Sequence, residues 1–489
     1  CSPELTDADL QALTLCTGLW GLDCSGDELT NDGLKYLKQL TAIKSLDIRG
    51  DNLSDESLKH IAALTTLEEL HLYGENYTDA GVAALASLTN LEYLNINCAN
   101  VTDKGLAILR SFPKLRRVTL QGKFTTKALA NLQGMNLQWL ELTSETLGDD
   151  VMKYTRDMAS LEILDLSGVN LSATGVAMLK DHRALRKLTL SKSVPLDSLS
   201  HLAGLTQLEQ LEFSGSFSAR FMRSEGEDST DTRLKYYKPL VNIKRMDLCY
   251  TGVSDAGLAH LKGLVAMEEL DLSDTEITSE GLLHLKAMTA MLNLDSSDTK
   301  ITDEGLVALS EMTKMTDLNL SDTAIGDFGL FHLRTCTALE NLNLAKTKIT
   351  DEGLACLSDM TMLQTLDLDG TTITGAGFAH LGALKKLKTI SFREAGVTDA
   401  GLVGLAGLTG LVELDLLGAN VSDEGLKHLH PLTNLIQINL SGTNVTPAGV
   451  AALKKALPKA SISVEKSDGD EHTINLDDFD MGDLIINVK

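Results

Sequence analysis

Residues 318–341 read LNLSDTAIGDFGLFHLRTCTALEN and residues 366–389 read LDLDGTTITGAGFAHLGALKKLKT; both are 24-residue copies of one pattern. From Met246 onward that pattern recurs without insertion or deletion. Its leading aliphatic position is Leu270, Leu294, Leu318, Leu342, Leu366, Ile390, Leu414, Ile438 and Ile462, and a glycine recurs at 257, 281, 305, 329, 353, 377, 401, 425 and 449. A fixed period of this length marks a solenoid, in which each coil buries its apolar edge only against its neighbours.

Each unit has a local logic. The Leu-x-Leu pair points inward at the strand period of two. Thr275, Thr299, Thr323, Thr347, Thr371 and Thr443 follow, and are expected to hydrogen-bond turn backbone between coils. A Thr-Asp pair then opens a helix, where a hydroxyl or carboxylate meets free backbone N–H groups at the positive end of the dipole. The glycine in the first helical turn is expected to let neighbouring helices approach. Ser296 breaks the core rule, standing where Leu272 and Leu320 stand in the flanking coils.

The L-x-x-L-x-L core, a polar residue and a helix resemble the leucine-rich repeat. More narrowly, T-x-I-T-D-x-G-L-x-x-L is similar to the 24-residue bacterial repeats of planctomycete type, with GALA-type repeats as near relatives. The resemblance implies an α/β fold: a right-handed βα superhelix, arc- or horseshoe-shaped, with a concave parallel sheet and convex helices. About function it implies little, because this architecture serves many ligands.

Working back toward the N-terminus, strand centres fall at Leu22, Leu46, Leu70, Leu94, Val118, Leu140, Leu164, Leu188 and Leu211. The stretch 5–13 matches the helical half of a repeat. Residues 1–464 therefore read as one solenoid of about nineteen coils, irregular over 118–240 and regular over 241–464. The step from Leu211 to Met246 is too long by one loop, an insertion at 214–229. Residues 465–489 are acidic and read as a capping hairpin or tail, because a terminal coil leaves an open edge.

The net charge of −25, from 68 acidic and 43 basic residues, argues against nucleic acid or an anionic membrane as partner. Aromatics are scarce at 4%. No apolar run reaches the roughly 18 residues needed to span a bilayer. The seven cysteines show no C-x-x-C spacing, and Cys24 and Cys336 sit at core positions. The chain begins at Cys1, as a mature bacterial lipoprotein does. A lipid on Cys1 is the only expected membrane link, and the expected location is the cell envelope or the exterior.

No nucleophile–base set, Walker loop or metal-protease motif is present. Seven histidines (His60, His201, His260, His284, His332, His380 and His428) share one helix column, which Ala308, Cys356 and Gly404 interrupt. They read as repeat consensus, and neither metal nor cofactor is expected. The functional signal lies on the sheet's exposed face. Between the strand leucines stand Asp247, Asp271, Asp295, Asn319, Asn343, Asp367 and Asp415, and beside them Glu269, Asp317 and Asn341. Adjacent strands set these about 4.8 Å apart, so like charges face one another at a cost in stability. The column either keeps the sheet soluble or attracts a basic protein or peptide. On the inserted loop, Arg220, Phe221, Met222 and Arg223 form a candidate partner anchor. The leading expectation is a monomeric, non-enzymatic binding scaffold. The alternative is a secreted effector or adaptor of GALA type, its partner module lying outside this chain.

Overall fold

The structure, a computed structural model, describes residues 5–144, 146–213 and 230–464. Cys1, the loop residues Arg220, Phe221, Met222 and Arg223, and the acidic tail 465–489 lie outside the described residues. The chain divides into two compact units, residues 1–218 and 219–489.

The first unit is built on a nine-stranded sheet whose strands follow chain order. They are β1 (Gly21–Ser25), β2 (Ser45–Arg49), β3 (Glu69–Tyr73), β4 (Tyr93–Asn97), β5 (Arg117–Gln121), β6 (Trp139–Thr143), β7 (Ile163–Gly168), β8 (Lys187–Leu190) and β9 (Gln210–Phe213). Every pairing is parallel and sets one strand centre opposite the next, Leu22 on Leu46 and Leu46 on Leu70. The shortened steps keep this register: Val118 faces Leu140 and Leu188 faces Leu211. The lost residues therefore come out of the connections and leave the ladder intact.

The second unit holds a ten-stranded parallel sheet, again in chain order. Its strands are β10 (Arg245–Asp247), β11 (Glu269–Asp271), β12 (Asn293–Asp295), β13 (Asp317–Asn319), β14 (Asn341–Asn343), β15 (Thr365–Asp367), β16 (Thr389–Ser391), β17 (Glu413–Asp415), β18 (Gln437–Asn439) and β19 (Ser461–Ser463). From Leu46 to Ile462 the strand-centre aliphatics are buried, with Leu70 and Leu366 wholly inaccessible. Between strands the chain turns through short α or 3₁₀ segments such as Asp55–Ile61, Asp303–Leu309 and Pro447–Ala456. Thr6 caps the first helix, Asp7–Leu13, in a reciprocal capping box with Asp9.

Three repeat columns have explicit roles. The threonine column holds turn backbone inside its own coil rather than between coils: Thr275 Oγ1 donates to the Leu272 carbonyl at 2.6 Å, and Thr323 to Leu320 at 2.6 Å. Three residues separate donor and acceptor, so the hydroxyl closes its own turn before the next coil is in reach. The link between coils belongs instead to the helix-opening aspartate. Asp55 accepts the backbone N–H of Thr78 at 2.8 Å and its hydroxyl at 2.6 Å, one coil onward. The glycine column makes room for that carboxylate. A Cβ on Gly81 would stand 2.1 Å from Asp55 Oδ1, and one on Gly281 2.1 Å from Asp255 Oδ1.

A fourth column follows the strands of the second unit. Tyr250, Asp274, Asp298, Asp322, Lys346 and Glu394 are left-handed, with φ between 50° and 57°, where Gly370, Gly418 and Gly442 stand in other coils. This conformation turns each N–H toward the next coil, as in Asp298 to the Ser321 carbonyl at 2.9 Å. Ser296 is wholly buried, and its hydroxyl has no hydrogen-bond partner. Cys24 and Cys336 are buried core residues.

Candidate ligand-binding face

On the open face of the second sheet the expected column forms in register, Asp247 on Asp271, Asp271 on Asp295, Asp295 on Asn319 and Asn319 on Asn343. Asn343 then meets Asp367, Asp367 meets Ser391, and Ser391 meets Asp415. Glu269, Asp317 and Asn341 occupy the parallel column two residues earlier. Asp295, Asp317, Asn319, Asn341, Asn343 and Asp367 line a shallow trough of about 400 Å³, floored by Leu294, Leu318 and Leu342. Asp247, Glu269, Asp271 and Asp415 lie in the same columns outside that trough.

These side chains are not idle. Each carboxylate or amide between the strand leucines accepts the backbone N–H two residues on: Asp271 from Ser273 at 2.9 Å, Asp295 from Ser297 at 2.9 Å, Asn343 from Ala345 at 2.9 Å. This is the Asx-turn chemistry of a short acceptor. Sequence reading treated the column as a free surface; the same aspartates and asparagines also hold the strand-to-turn corner of their own coils. In each aspartate this bond uses Oδ1, and Oδ2 is left to other partners, as at Asp295 and Asp415. The expected repulsion is partly offset where an amide alternates with a carboxylate, since Asn319 Nδ2 donates to Asp295 Oδ2 at 2.9 Å and Asn341 to Asp317 at 2.6 Å. Arg393 likewise reaches Asp415 at 2.7 Å. Where carboxylate faces carboxylate the charge is felt. Burial pushes the Asp271 carboxyl above its ordinary range, and Asp295 and Asp247 add to this. Asp367 is raised by burial, with Asp369 beside it.

Asp247, Cys249 and Asp271 place three potential ligand atoms within 4.8 Å of one another. Burial first, then Asp247, pushes the Cys249 thiol up to about 12. At neutral pH that thiol is protonated. The histidine column is half-buried to exposed, as expected for repeat consensus.

The first unit carries a different surface that sequence reading missed. Arg117 on β5 lies between Tyr93 on β4 and Trp139 on β6, its guanidinium 4.2 Å and 4.7 Å from the two ring centroids. His71 meets the Tyr93 ring edge-on at 4.7 Å. Arg49 lies over Tyr73 at 4.5 Å, and Asn95 Nδ2 donates to the Tyr73 hydroxyl at 3.0 Å. The signal was the repeat itself. Tyr93, Arg117 and Trp139 occupy the column that holds Glu269 and Asp317 in the second unit, and following it through both units exposes them.

The geometry defines a class: solenoids of short strand–turn–helix coils stacked through parallel sheets. The family model described as leucine-rich repeat matches residues 87–107, 267–285, 311–333 and 335–358, so the chain carries leucine-rich repeats in a solenoid fold. A leucine-rich repeat protein of Leptospira interrogans is similar in structure at 17% identity and a TM-score of 0.50, covering 78% of this chain and 91% of its own. An internalin of Listeria monocytogenes (17%, TM-score 0.36, 90% and 95%) and a plant peptide hormone receptor in complex with RGF2 (12%, TM-score 0.44, 92% and 91%) also match. Comparison with curated protein sequences finds no match. Among the described residues no helix is long and apolar enough to cross a membrane.

Proposed function

We propose that this chain is a non-enzymatic scaffold that binds a protein or peptide with a basic surface on the open face of its second sheet. The observation that carries this reading is the register itself: Asp247, Asp271 and Asp295 face one another on adjacent strands, Asp271 half-buried with its carboxyl pushed above its ordinary range, at one end of a trough lined by further acids and amides. Holding like charges in register costs stability, and a cationic partner relieves that cost. The excess of acid over base across the chain adds long-range attraction for cations and repels polyanions.

The test is fluorescence anisotropy with labelled peptides in which Lys or Arg alternates with Leu, against matched peptides carrying Gln. Binding should favour the basic series, weaken steeply between low and high salt as screening shortens to about 8 Å, and disappear in Asp271→Lys/Asp295→Lys. Equal binding of both series, or indifference to those charge reversals, rejects the proposal.

A further inference from the structure

The first unit's open face offers chemistry opposite to that of the acidic trough. Arg117 is clamped between two aromatic rings on neighbouring strands and makes no ion pair with any described carboxylate, although the chain carries 68 acidic against 43 basic residues. Its Nε and the Trp139 indole N–H are both cut off from water and lack a hydrogen-bond partner. A guanidinium stacked on rings is held in a fixed orientation, which lowers the entropy lost when its planar fork engages a carboxylate. Buried donors without acceptors cost free energy until something supplies the acceptor. The neighbours are the residue types that dominate binding energy at interfaces, in a chain with few aromatics.

We infer that strands β4–β6 of the first unit form a second docking surface, for a peptide segment in which an acidic side chain neighbours a large apolar one. The carboxylate pairs with the Arg117 fork, and the apolar neighbour lies against the exposed parts of the Tyr93 and Trp139 rings. Both rings are only partly buried, so area remains to cover. Charge complementarity selects this occupant over a basic one, because a cation brought here meets the clamped guanidinium first. The Glu141 carboxyl near this face is pushed up by burial and by Asp165.

The experiment uses the full chain carrying Trp20→Phe, since Trp20 is 68% exposed and would otherwise obscure Trp139. An array of acetylated, amidated heptapeptides places Asp, Glu, Asn, Gln or Lys at the centre, flanked by Leu, Phe, Trp or Ser. Array hits are then titrated by Trp139 fluorescence, or by anisotropy of a labelled copy where the peptide itself contains Trp. Acidic centres beside Leu, Phe or Trp should bind at least tenfold more tightly than their amide counterparts. Arg117→Gln should erase that preference, and Arg117→Lys should keep only part of it. Asp271→Lys/Asp295→Lys should leave it unchanged, which separates this surface from the acidic trough. Circular dichroism on Arg117→Gln reports whether the fold persists. No preference for acidic centres, a preference for Lys, or an Arg117→Gln variant that is folded and binds like the parent overturns the inference.

Discussion

Asp423 and Thr446, one coil apart, are tied twice: Thr446 donates its backbone N–H to Asp423 Oδ1 at 2.8 Å and its hydroxyl to Oδ2 at 2.6 Å. The carboxylate can sit there because position 449 is glycine; a Cβ would come within 2.0 Å of Asp423 Oδ1. Aspartate, threonine and glycine from two coils thus form one unit, repeated as Asp55–Thr78–Gly81 and Asp255–Thr278–Gly281. It joins coil to coil on the helical side as the strand ladder does on the other.

Gly449→Ala tests that unit by its sign. In a helix, alanine ordinarily gains about 0.5–1 kcal/mol over glycine. Here the new methyl collides with the carboxylate, and the expected result is a loss of about 1–3 kcal/mol. In an Asp423→Ala background the collision is gone, so the same substitution should become neutral or favourable. Urea unfolding of the four proteins gives the coupling, expected at about 1 kcal/mol or more. Additive effects would show that the glycine serves something other than the aspartate.

Ser296 supplies a second test. It is wholly inaccessible, its hydroxyl has no partner, and Leu272 and Leu320 fill the same position in the flanking coils. Ser296→Leu removes an unmet polar group and fills the space with the side chain the repeat prefers, worth about 1–3 kcal/mol. The melting temperature should rise by a few degrees. A lower value would mean that the surrounding coils have closed in around the serine.

Much of this was legible beforehand. The strand centres from Leu22 to Ile462 and the register of Asp247, Asp271 and Asp295 follow from counting, because stacked coils convert sequence period directly into spatial adjacency. Partner choice within a column was not legible. Nothing in the letters tells whether Thr275 bonds its own coil or the next, since that depends on a turn geometry of a few ångströms. The Tyr93–Arg117–Trp139 stack was missed for a different reason. It is a departure from the consensus in the less regular half, and a reading anchored on the regular repeats passes over it.

Glu394 shows how a column reveals strain. It is left-handed at φ 56°, between Gly370 at 63° and Gly418 at 73° in the adjacent coils. A side chain there costs roughly 1 kcal/mol that glycine does not incur. Glu394→Gly should therefore be neutral to stabilising by up to about 1 kcal/mol, and Gly418→Val should destabilise by about 1–2 kcal/mol. Thermal melts of the pair check the opposite signs. Parallel losses would mean that Glu394 has a contact worth more than its strain.

The acid dependence of stability divides the aspartates into two opposed sets. Asp271 and Asp367 have carboxyls raised above the ordinary 3.8, by burial first and by neighbouring carboxylates after it. The folded chain then binds their protons more tightly than the unfolded chain, so each destabilises the fold at neutral pH. That penalty is relieved as pH falls through the raised value toward 3.8. Asp423 lies below 3.8 because the Thr446 hydroxyl, and then its N–H, bond the ionised form. At Asp351, burial pushes upward but the bonds from Thr374, Gly377 and Gly375 outweigh it. Stability from this second set is present above 3.8 and lost as pH falls below it. The urea midpoint should therefore climb as pH falls from neutral toward 3.8 and collapse below it. Asp271→Asn should flatten the climb while sparing the collapse, and Asp423→Asn should do the reverse. A cationic peptide bound on the acidic face relieves the same repulsion by another route, so in its presence the climb should shrink in the parent protein and change little in Asp271→Asn.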